Sequence, residues 1–249
     1  MPVDVHDSDE FRGARFTHAD LSGAKMHDVN LSGVRITDAM LVDTELSGMI
    51  ANLKVNGVYV APLVEAELDR LHPERVAMRA TTPAGLREGW ASVEAMWRPT
   101  IELAHRLPEP TLHQRVDGEW SLVETLRHLI FVTDGWFSRT VLGQVDPYHP
   151  FGLVPAFLAA DAAKLGLDAH AAPSFAEVLD VRAGRIARLR DFLASVDEPT
   201  LLEARLRNDA DGYPPPTEDT VLSCLHVVMD EEWWHHQYAA RDLATLTAS

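Results

Sequence analysis

The sequence predicts a multi-domain protein in which a short repetitive segment precedes a bundle of amphipathic helices. Two observations lead to this prediction. Near the N-terminus, apolar residues recur at every fifth position, a spacing that neither an α-helix nor a flat strand produces. From residue 83 onward they recur at steps of three and four, which is typical of one face of an α-helix. We therefore divide the chain into a repetitive segment (1–56), a connector (57–82) and a helical domain (83–249).

The five-residue period runs through residues 11–51 and involves two positions of each repeat. One position holds a large apolar residue, and the position two residues earlier mostly holds a small one. The large residues are Phe11, Phe16, Leu21, Met26, Leu31, Ile36, Leu41 and Leu46, and the small ones are Ala14, Ala19, Ala24, Val29, Val34, Ala39 and Thr44. This pattern, seen in ADLSGAKMHDVNLSGV, resembles the pentapeptide-repeat family. The resemblance implies a right-handed, four-sided β-solenoid of about two coils, with both positions pointing inward.

A solenoid of this length buries little apolar surface, so we expect it to cap or pack on its neighbour. Two roles for the segment remain open. It could bind a protein partner, or it could be a structural appendage, since nothing in it suggests chemistry. In the connector that follows, Asn56-Gly57 marks a turn, and a short helix is expected to end at Pro73.

The composition favours a soluble cytoplasmic protein. With 249 residues, of which 46% are hydrophobic, the chain can bury a sizeable core. A formal net charge of −16 argues against a nucleic-acid backbone or an anionic membrane as a partner. Because Cys224 is the single cysteine, an intramolecular disulfide framework is excluded and a reducing cytosol is favoured. We find no signal-peptide pattern and no apolar run that approaches a membrane span.

Four amphipathic helices are predicted in the helical domain. Their expected first residues or caps are Pro83, Ser121, Ser174 and Thr217. The second and third begin with capping boxes, in which a serine is followed three residues later by Glu124 or Glu177. Two long connections rich in proline and glycine separate the last three helices. We therefore expect an up-down four-helix bundle, and with the solenoid a multi-domain α+β fold.

The last predicted helix carries two ionisable residues on its apolar face. The stripe at steps of three and four consists of Leu222, Leu225, Met229, Glu232, His236, Ala240 and Leu243. Glu232 and His236 stand one turn apart where core residues are expected, which costs several kcal/mol unless something pairs them. A metal ion would do so, because a carboxylate and an imidazole at i and i+4 can reach the same ion.

A third inward group, His128, lies in the middle of the second helix. The set His128, Glu232 and His236 leaves a coordination position open, as catalytic zinc sites do, and would also suit iron(II), nickel or manganese. A one-residue error in helix phase would exchange the last two for Glu231 and His235. These two fall on the flank of the helix, where we expect them to surround the ligands or to face the solvent.

Two other residues of the last helix, His226 and Cys224, are not expected to bind the metal. His226 lies beside the stripe and could face the core or the solvent. Cys224 lies off the stripe, and we expect it to pack rather than react.

The segments GEWSLVETLRHLIFVTDGWF and CLHVVMDEEWWHHQYAARDL resemble the DinB-like metalloprotein superfamily, over roughly residues 83–246. This resemblance implies a four-helix bundle with one histidine ligand on the second helix and two ligands spaced i, i+4 on the last. Many members have His-xxx-His there. With Glu232 in the first place, the set matches the branch that contains mycothiol-dependent maleylpyruvate isomerase. That branch implies an enzyme whose metal lowers the pKa of a thiol cosubstrate such as mycothiol.

The resulting hypothesis is a metal-dependent enzyme that transfers a low-molecular-weight thiol to an electrophilic small molecule, or uses the thiol for isomerisation. Arg182, Arg185 or Arg188 could hold an anionic substrate. Two alternatives stay open: a metal-binding scaffold that works through the pentapeptide coils, and a metal-dependent hydrolase. The expected partners are small molecules and a second copy of the chain, as a homodimer, together with a protein partner if the repeats bind one.

Overall fold

The computed structural model of the protein describes residues 5–6, 8–26, 29–48, 50–205, 212–215 and 218–248. Contacts between Cα atoms divide the chain into two compact units, residues 1–41 and 42–249.

The first unit repeats a backbone turn at every fifth residue. A left-handed φ occurs at Gly13, His18, Gly23, Gly33 and Asp38, while position 28 of this series lies outside the described residues. Backbone hydrogen bonds close three of these turns, as from the Ala24 N–H to the Leu21 carbonyl oxygen. All described side chains of this unit are exposed, and its described residues include no strand. The five-residue period is thus present in the backbone, while the enclosed solenoid interior stays a prediction.

The second unit opens with a two-stranded hairpin. Strands β1 (Lys54–Val55) and β2 (Val58–Tyr59) pair in antiparallel fashion. The turn between them has a positive φ at both Asn56 and Gly57, which is the geometry that favours tight hairpins. The predicted turn is therefore confirmed.

Helices make up most of the rest of this unit. In chain order they are α1 (Ala61–Leu71), α2 (Glu74–Met78), α3 (Pro83–Ala104), α4 (Glu109–Leu112), α5 (Leu122–Val132), a π-helix (Thr133–Val141), a 3₁₀ helix (Ala156–Leu165), α6 (Phe175–Ser195), α7 (Glu198–Leu202) and α8 (Val221–Thr247). The short helix expected before Pro73 is present as α1. The π-helix continues directly from α5, where the sequence predicts uninterrupted α-helix.

Four of these helices pack in a ring. α3 packs against α6 and α8, and α5 packs against the same two helices. The core inside the ring includes Leu86, Leu126, Val178 and Met229, one from each helix. Such a ring is the arrangement that a four-helix bundle requires, while the up-down order of the helices stays a prediction. None of the helices within the described parts of the chain is long and apolar enough to cross a membrane.

The starts of the helices follow local capping rules. Both predicted capping boxes form, at Ser121–Glu124 and at Ser174–Glu177. The cap of α8 is Thr220, whose side chain accepts a hydrogen bond from the Ser223 N–H. Thr217, the cap expected from sequence, lies outside the described residues. Because Thr220 directly precedes the first helical residue, it is the residue whose hydroxyl can reach the free N–H groups of the first turn.

The connector packs on the last helix through a buried arginine. Arg75 in α2 is 5% exposed, and its guanidinium carbon lies 4.5 Å from the ring centroid of Trp233 in α8. The same guanidinium donates hydrogen bonds to Glu65 and Asp69 of α1. One side chain therefore fixes α1 and α2 to α8, the helix that carries most of the candidate site.

Candidate metal centre

His128 lies in the middle of α5 and points towards α8. It is 6% exposed, and its Nδ1 lies 3.0 Å from the carbonyl oxygen of Leu153. Because a carbonyl can only accept, we place the ring proton on Nδ1, which leaves the Nε2 lone pair free. Burial lowers the pKa of His128 and so favours the neutral ring that binds metals.

Glu231 and His235 stand one turn apart on the side of α8 that faces His128. Glu231 Oε2 lies 3.1 Å from His235 Nε2 and 3.5 Å from His128 Nε2. One ligand atom from each of the three residues lies within 4.8 Å of the other two. Burial raises the pKa of Glu231, but its interactions with His128 and His235 outweigh this effect, and the net result is a pKa of about 2. The carboxylate is therefore ionised at neutral pH.

This set of donors fits a divalent metal ion. One carboxylate and two imidazoles are ligands of catalytic zinc sites. In a tetrahedral site with zinc bonds near 2.1 Å, donor atoms lie roughly 3.4 Å from one another. The distances from Glu231 Oε2 to His235 Nε2 and His128 Nε2, 3.1 and 3.5 Å, are close to this value. The Leu153 carbonyl orients His128 in the way that metal-binding histidines are usually oriented. The side chain of Glu231 is 37% exposed, so one side of the cluster is open to solvent.

An aromatic side chain, Trp120, covers another side of the cluster. Its ring centroid lies 4.7 Å from that of His128 and 5.9 Å from that of His235, with the second pair of rings stacked. A turn with positive φ at Asp117 and Gly118 places Trp120 immediately before α5. The turn dipeptide is visible in the sequence, but nothing in the sequence indicates that the adjacent Trp120 contacts both histidines.

Glu232 and His236, the ligands expected from sequence, lie in a different environment. Glu232 is 1% exposed, and its two oxygens accept hydrogen bonds from Arg182 of α6 at 3.1 and 3.0 Å. His236 Nε2 lies 2.8 Å from the Thr100 hydroxyl of α3, and its ring packs edge-on against Trp97. Burial lowers the pKa of His236 to about 4.

The structure thus brings His128 together with Glu231 and His235, whereas the sequence analysis paired it with Glu232 and His236. The physical reason is the position of α8 in the ring. Consecutive residues of a helix point about 100° apart, so a helix between two neighbours directs adjacent residues at different helices. The apolar stripe marks the centre of the buried face of α8, while the site lies on the flank that faces α5.

Two further residues of α8 also lie away from the cluster. His226 is half-buried, and its Nε2 lies 2.9 Å from the carbonyl oxygen of Ala80. Cys224 is fully buried in the core, so its predicted packing role is confirmed.

The three arginines of α6 that could hold an anionic substrate have other partners. Arg182 binds Glu232 as described, and Arg185 donates two hydrogen bonds to Asp134 of the π-helix at 3.0 and 3.1 Å. Arg188 is exposed, and its guanidinium lies 3.4 Å from the Gln144 side-chain oxygen. Among the described contacts, none joins these arginines to His128, Glu231 or His235.

Comparisons with known proteins agree with the two resemblances found in the sequence. Residues 92–239 match the model of the DinB superfamily, and residues 10–48 match pentapeptide repeats in eight copies. The first match covers more than half of the chain. No curated protein and no solved structure matches the chain.

Proposed function

We propose that this chain, which belongs to the DinB superfamily, is a metal-dependent enzyme that uses a low-molecular-weight thiol. His128, Glu231 and His235 hold the metal in this proposal. The observation that carries it is the convergence of three ligand atoms from α5 and α8 within 4.8 Å, beside an open side of the cluster. Zinc suits these donors best, while nickel, iron(II) and manganese are alternatives.

The chemistry follows from the charge of the site. A divalent ion held by one carboxylate and two imidazoles keeps a net positive charge and lowers the pKa of a thiol that reaches it, which supplies a thiolate nucleophile at neutral pH. His128 is held in one orientation by Leu153, and Trp120 excludes water from one face. The exposed side of Glu231 is the side from which a thiol and an electrophilic small molecule would approach the metal. The reaction is thiol transfer to that molecule or its thiol-assisted isomerisation.

The first test is the metal content of the purified full-length protein, measured by elemental mass spectrometry. We expect about one zinc or other divalent ion per chain, as a three-ligand site predicts. Glu231→Gln should lose it, while the matched control Glu232→Gln should retain it, because Glu232 binds Arg182 instead. A wild-type protein without metal after reconstitution, or loss of metal only from the control, would contradict the ligand set.

The second test is activity of the metal-loaded protein with a thiol and an electrophile, such as glutathione or mycothiol with monobromobimane. We expect the rate of thioether formation to fall to the uncatalysed rate in Glu231→Gln. Ester hydrolysis that needs the metal but no thiol would favour the hydrolase alternative instead.

The scaffold alternative has one observation in its favour. The repeats expose large apolar side chains, among them Phe16 at 58%, Ile36 at 63% and Leu41 at 60%. Exposed apolar side chains in such number are typical of a surface that another protein covers. If the protein is a scaffold, removal of the metal should lower its stability, and no thiol should react faster in its presence.

A further inference from the structure

We infer that Arg241 recognises an anionic group of the thiol, so that the preferred thiols carry a carboxylate. The inference rests on the proposed function, because it concerns a ligand whose sulfur lies at the cluster of His128, Glu231 and His235. Arg241 lies in α8, six residues after His235 towards the C-terminus.

A chain of ring contacts leads from the cluster to Arg241. The ring of Tyr238 lies edge-on to that of His235, with 6.0 Å between the centroids. The guanidinium carbon of Arg241 lies 5.5 Å from the centroid of the Tyr238 ring. These residues follow one another at steps of three, which places them side by side on the surface of α8. The two contacts, of 6.0 and 5.5 Å, together keep the guanidinium carbon of Arg241 within 11.5 Å of the His235 ring centroid, a distance that one small molecule can bridge.

The guanidinium of Arg241 is anchored at one end and available at the other. Its Nε donates a hydrogen bond at 2.7 Å to Asp242, whose side chain is buried. The Arg241 side chain is 50% exposed, and its two terminal amino groups hydrogen-bond to nothing in the described parts of the chain. Two parallel N–H groups in this fork match the two oxygens of a carboxylate. The arginines of α6 differ, since Arg182 and Arg185 already use terminal amino groups to bind carboxylates.

Electrostatics favours a role for this cation in selecting ligands. The chain carries a formal charge of −16, which repels anionic small molecules unless a positive group stands beside the site. The hydrogen bond with Asp242 raises the pKa of Arg241, and the negative charges of Asp242 and Glu119 act in the same direction. They also offset part of its charge, so the expected preference for an anionic thiol is moderate.

The test compares two thiols of equal length, 6-mercaptohexanoate and 6-mercaptohexan-1-ol, on the zinc-loaded full-length protein. Binding is measured by isothermal titration calorimetry. We expect the carboxylate to bind about five- to tenfold more tightly than the alcohol, since one charge-assisted contact at a half-exposed site is involved. Arg241→Gln should remove this preference and leave the affinity for the alcohol unchanged. Arg188→Gln, at an exposed arginine far along α6, should keep the preference.

The outcomes separate the inference from the proposed function. Equal binding of the two thiols by the wild type, or a preference that survives in Arg241→Gln, overturns the inference and leaves the proposed function standing. If neither thiol binds the zinc-loaded protein, both fail. Zinc content and far-ultraviolet circular dichroism of Arg241→Gln should match the wild type, so that a lost preference reports recognition and not misfolding.

Discussion

Glu231 and Glu232 are consecutive residues of α8, yet their carboxylates face different helices. Glu231 Oε2 lies 3.5 Å from Nε2 of His128 in α5, whereas both carboxylate oxygens of Glu232 accept hydrogen bonds from Arg182 in α6. The first carboxylate is partly exposed, and the second is 1% exposed. Replacement by glutamine therefore tests two different roles: at Glu231 it affects the candidate metal site, and at Glu232 it affects the packing of the bundle.

We predict that Glu232→Gln lowers the free energy of unfolding of the metal-free protein by about 3 kcal/mol, because it leaves the guanidinium of Arg182 buried without its countercharge. Urea denaturation followed by circular dichroism would measure the change. Glu231→Gln, at a partly exposed position, should cost about 1 kcal/mol or less under the same conditions.

A double variant tests the cause of this loss. Replacing both partners, Arg182→Met with Glu232→Leu, should recover much of the stability, since a buried ion pair can be exchanged for apolar residues at little cost. Equal losses in the two single glutamate variants would contradict the assignment of Glu232 to the ion pair.

We predict that zinc affinity distinguishes the two adjacent histidines, His235 and His236, in the same way. His235→Ala removes a ligand and should weaken zinc binding by about 100-fold or more, beyond the effect of residues that only orient ligands. His236→Ala removes a hydrogen bond with Thr100 and should leave the zinc affinity within a few-fold of the wild type. Competition with a chromophoric chelator would measure both affinities. A large loss of zinc affinity in His236→Ala alone would favour the ligand set expected from the sequence.

The features that sequence could predict are those that depend on short segments of chain. Ser121 and Ser174 form their capping boxes with residues three positions away, so the pattern alone specifies the helix starts. The inward position of His128 followed from the apolar residues around it in α5. The five-residue period likewise appears in the backbone of the repeats.

The candidate ligand pair on α8, Glu231 and His235, could not be predicted in this way, because it depends on which helices flank α8. Periodicity identified Glu232 as buried, and it is. Its pairing with Arg182, however, depends on α6, which lies across the ring from α8 and is far from it in sequence. The proposed role of Arg241 depends on the same geometry, since its place next to Tyr238 matters only if His235 faces His128.

Arg127 holds the loop that orients His128, and we predict that Arg127→Met weakens both stability and zinc binding. Its guanidinium donates to the carbonyl oxygens of Phe151 and Ala171, at 2.8 and 2.9 Å. Loss of these bonds leaves two partly buried carbonyl groups without their donors, which should cost about 2 kcal/mol. Because Leu153 lies in the same loop, zinc affinity should fall by about 10-fold or more.

Arg115→Met is the matched control for this prediction. Arg115 is half-exposed and bonds to Glu124, so its loss should cost about 1 kcal/mol or less and leave zinc binding unchanged. Urea denaturation and chelator competition would measure the two quantities. Unchanged zinc affinity in a destabilised Arg127→Met would show that the loop does not orient His128.

Trp120 should report the state of the cluster, because its ring contacts both His128 and His235. We predict that removal of the metal by a chelator changes the tryptophan fluorescence of the wild type, since imidazoles in contact with an indole affect its emission. Trp120→Phe should abolish the change while zinc still binds. The control is Trp136→Phe, at a half-buried residue whose ring lies 6.3 Å from that of Tyr213. If the chelator changes the emission of Trp120→Phe as much as that of the wild type, Trp120 does not cover the metal site.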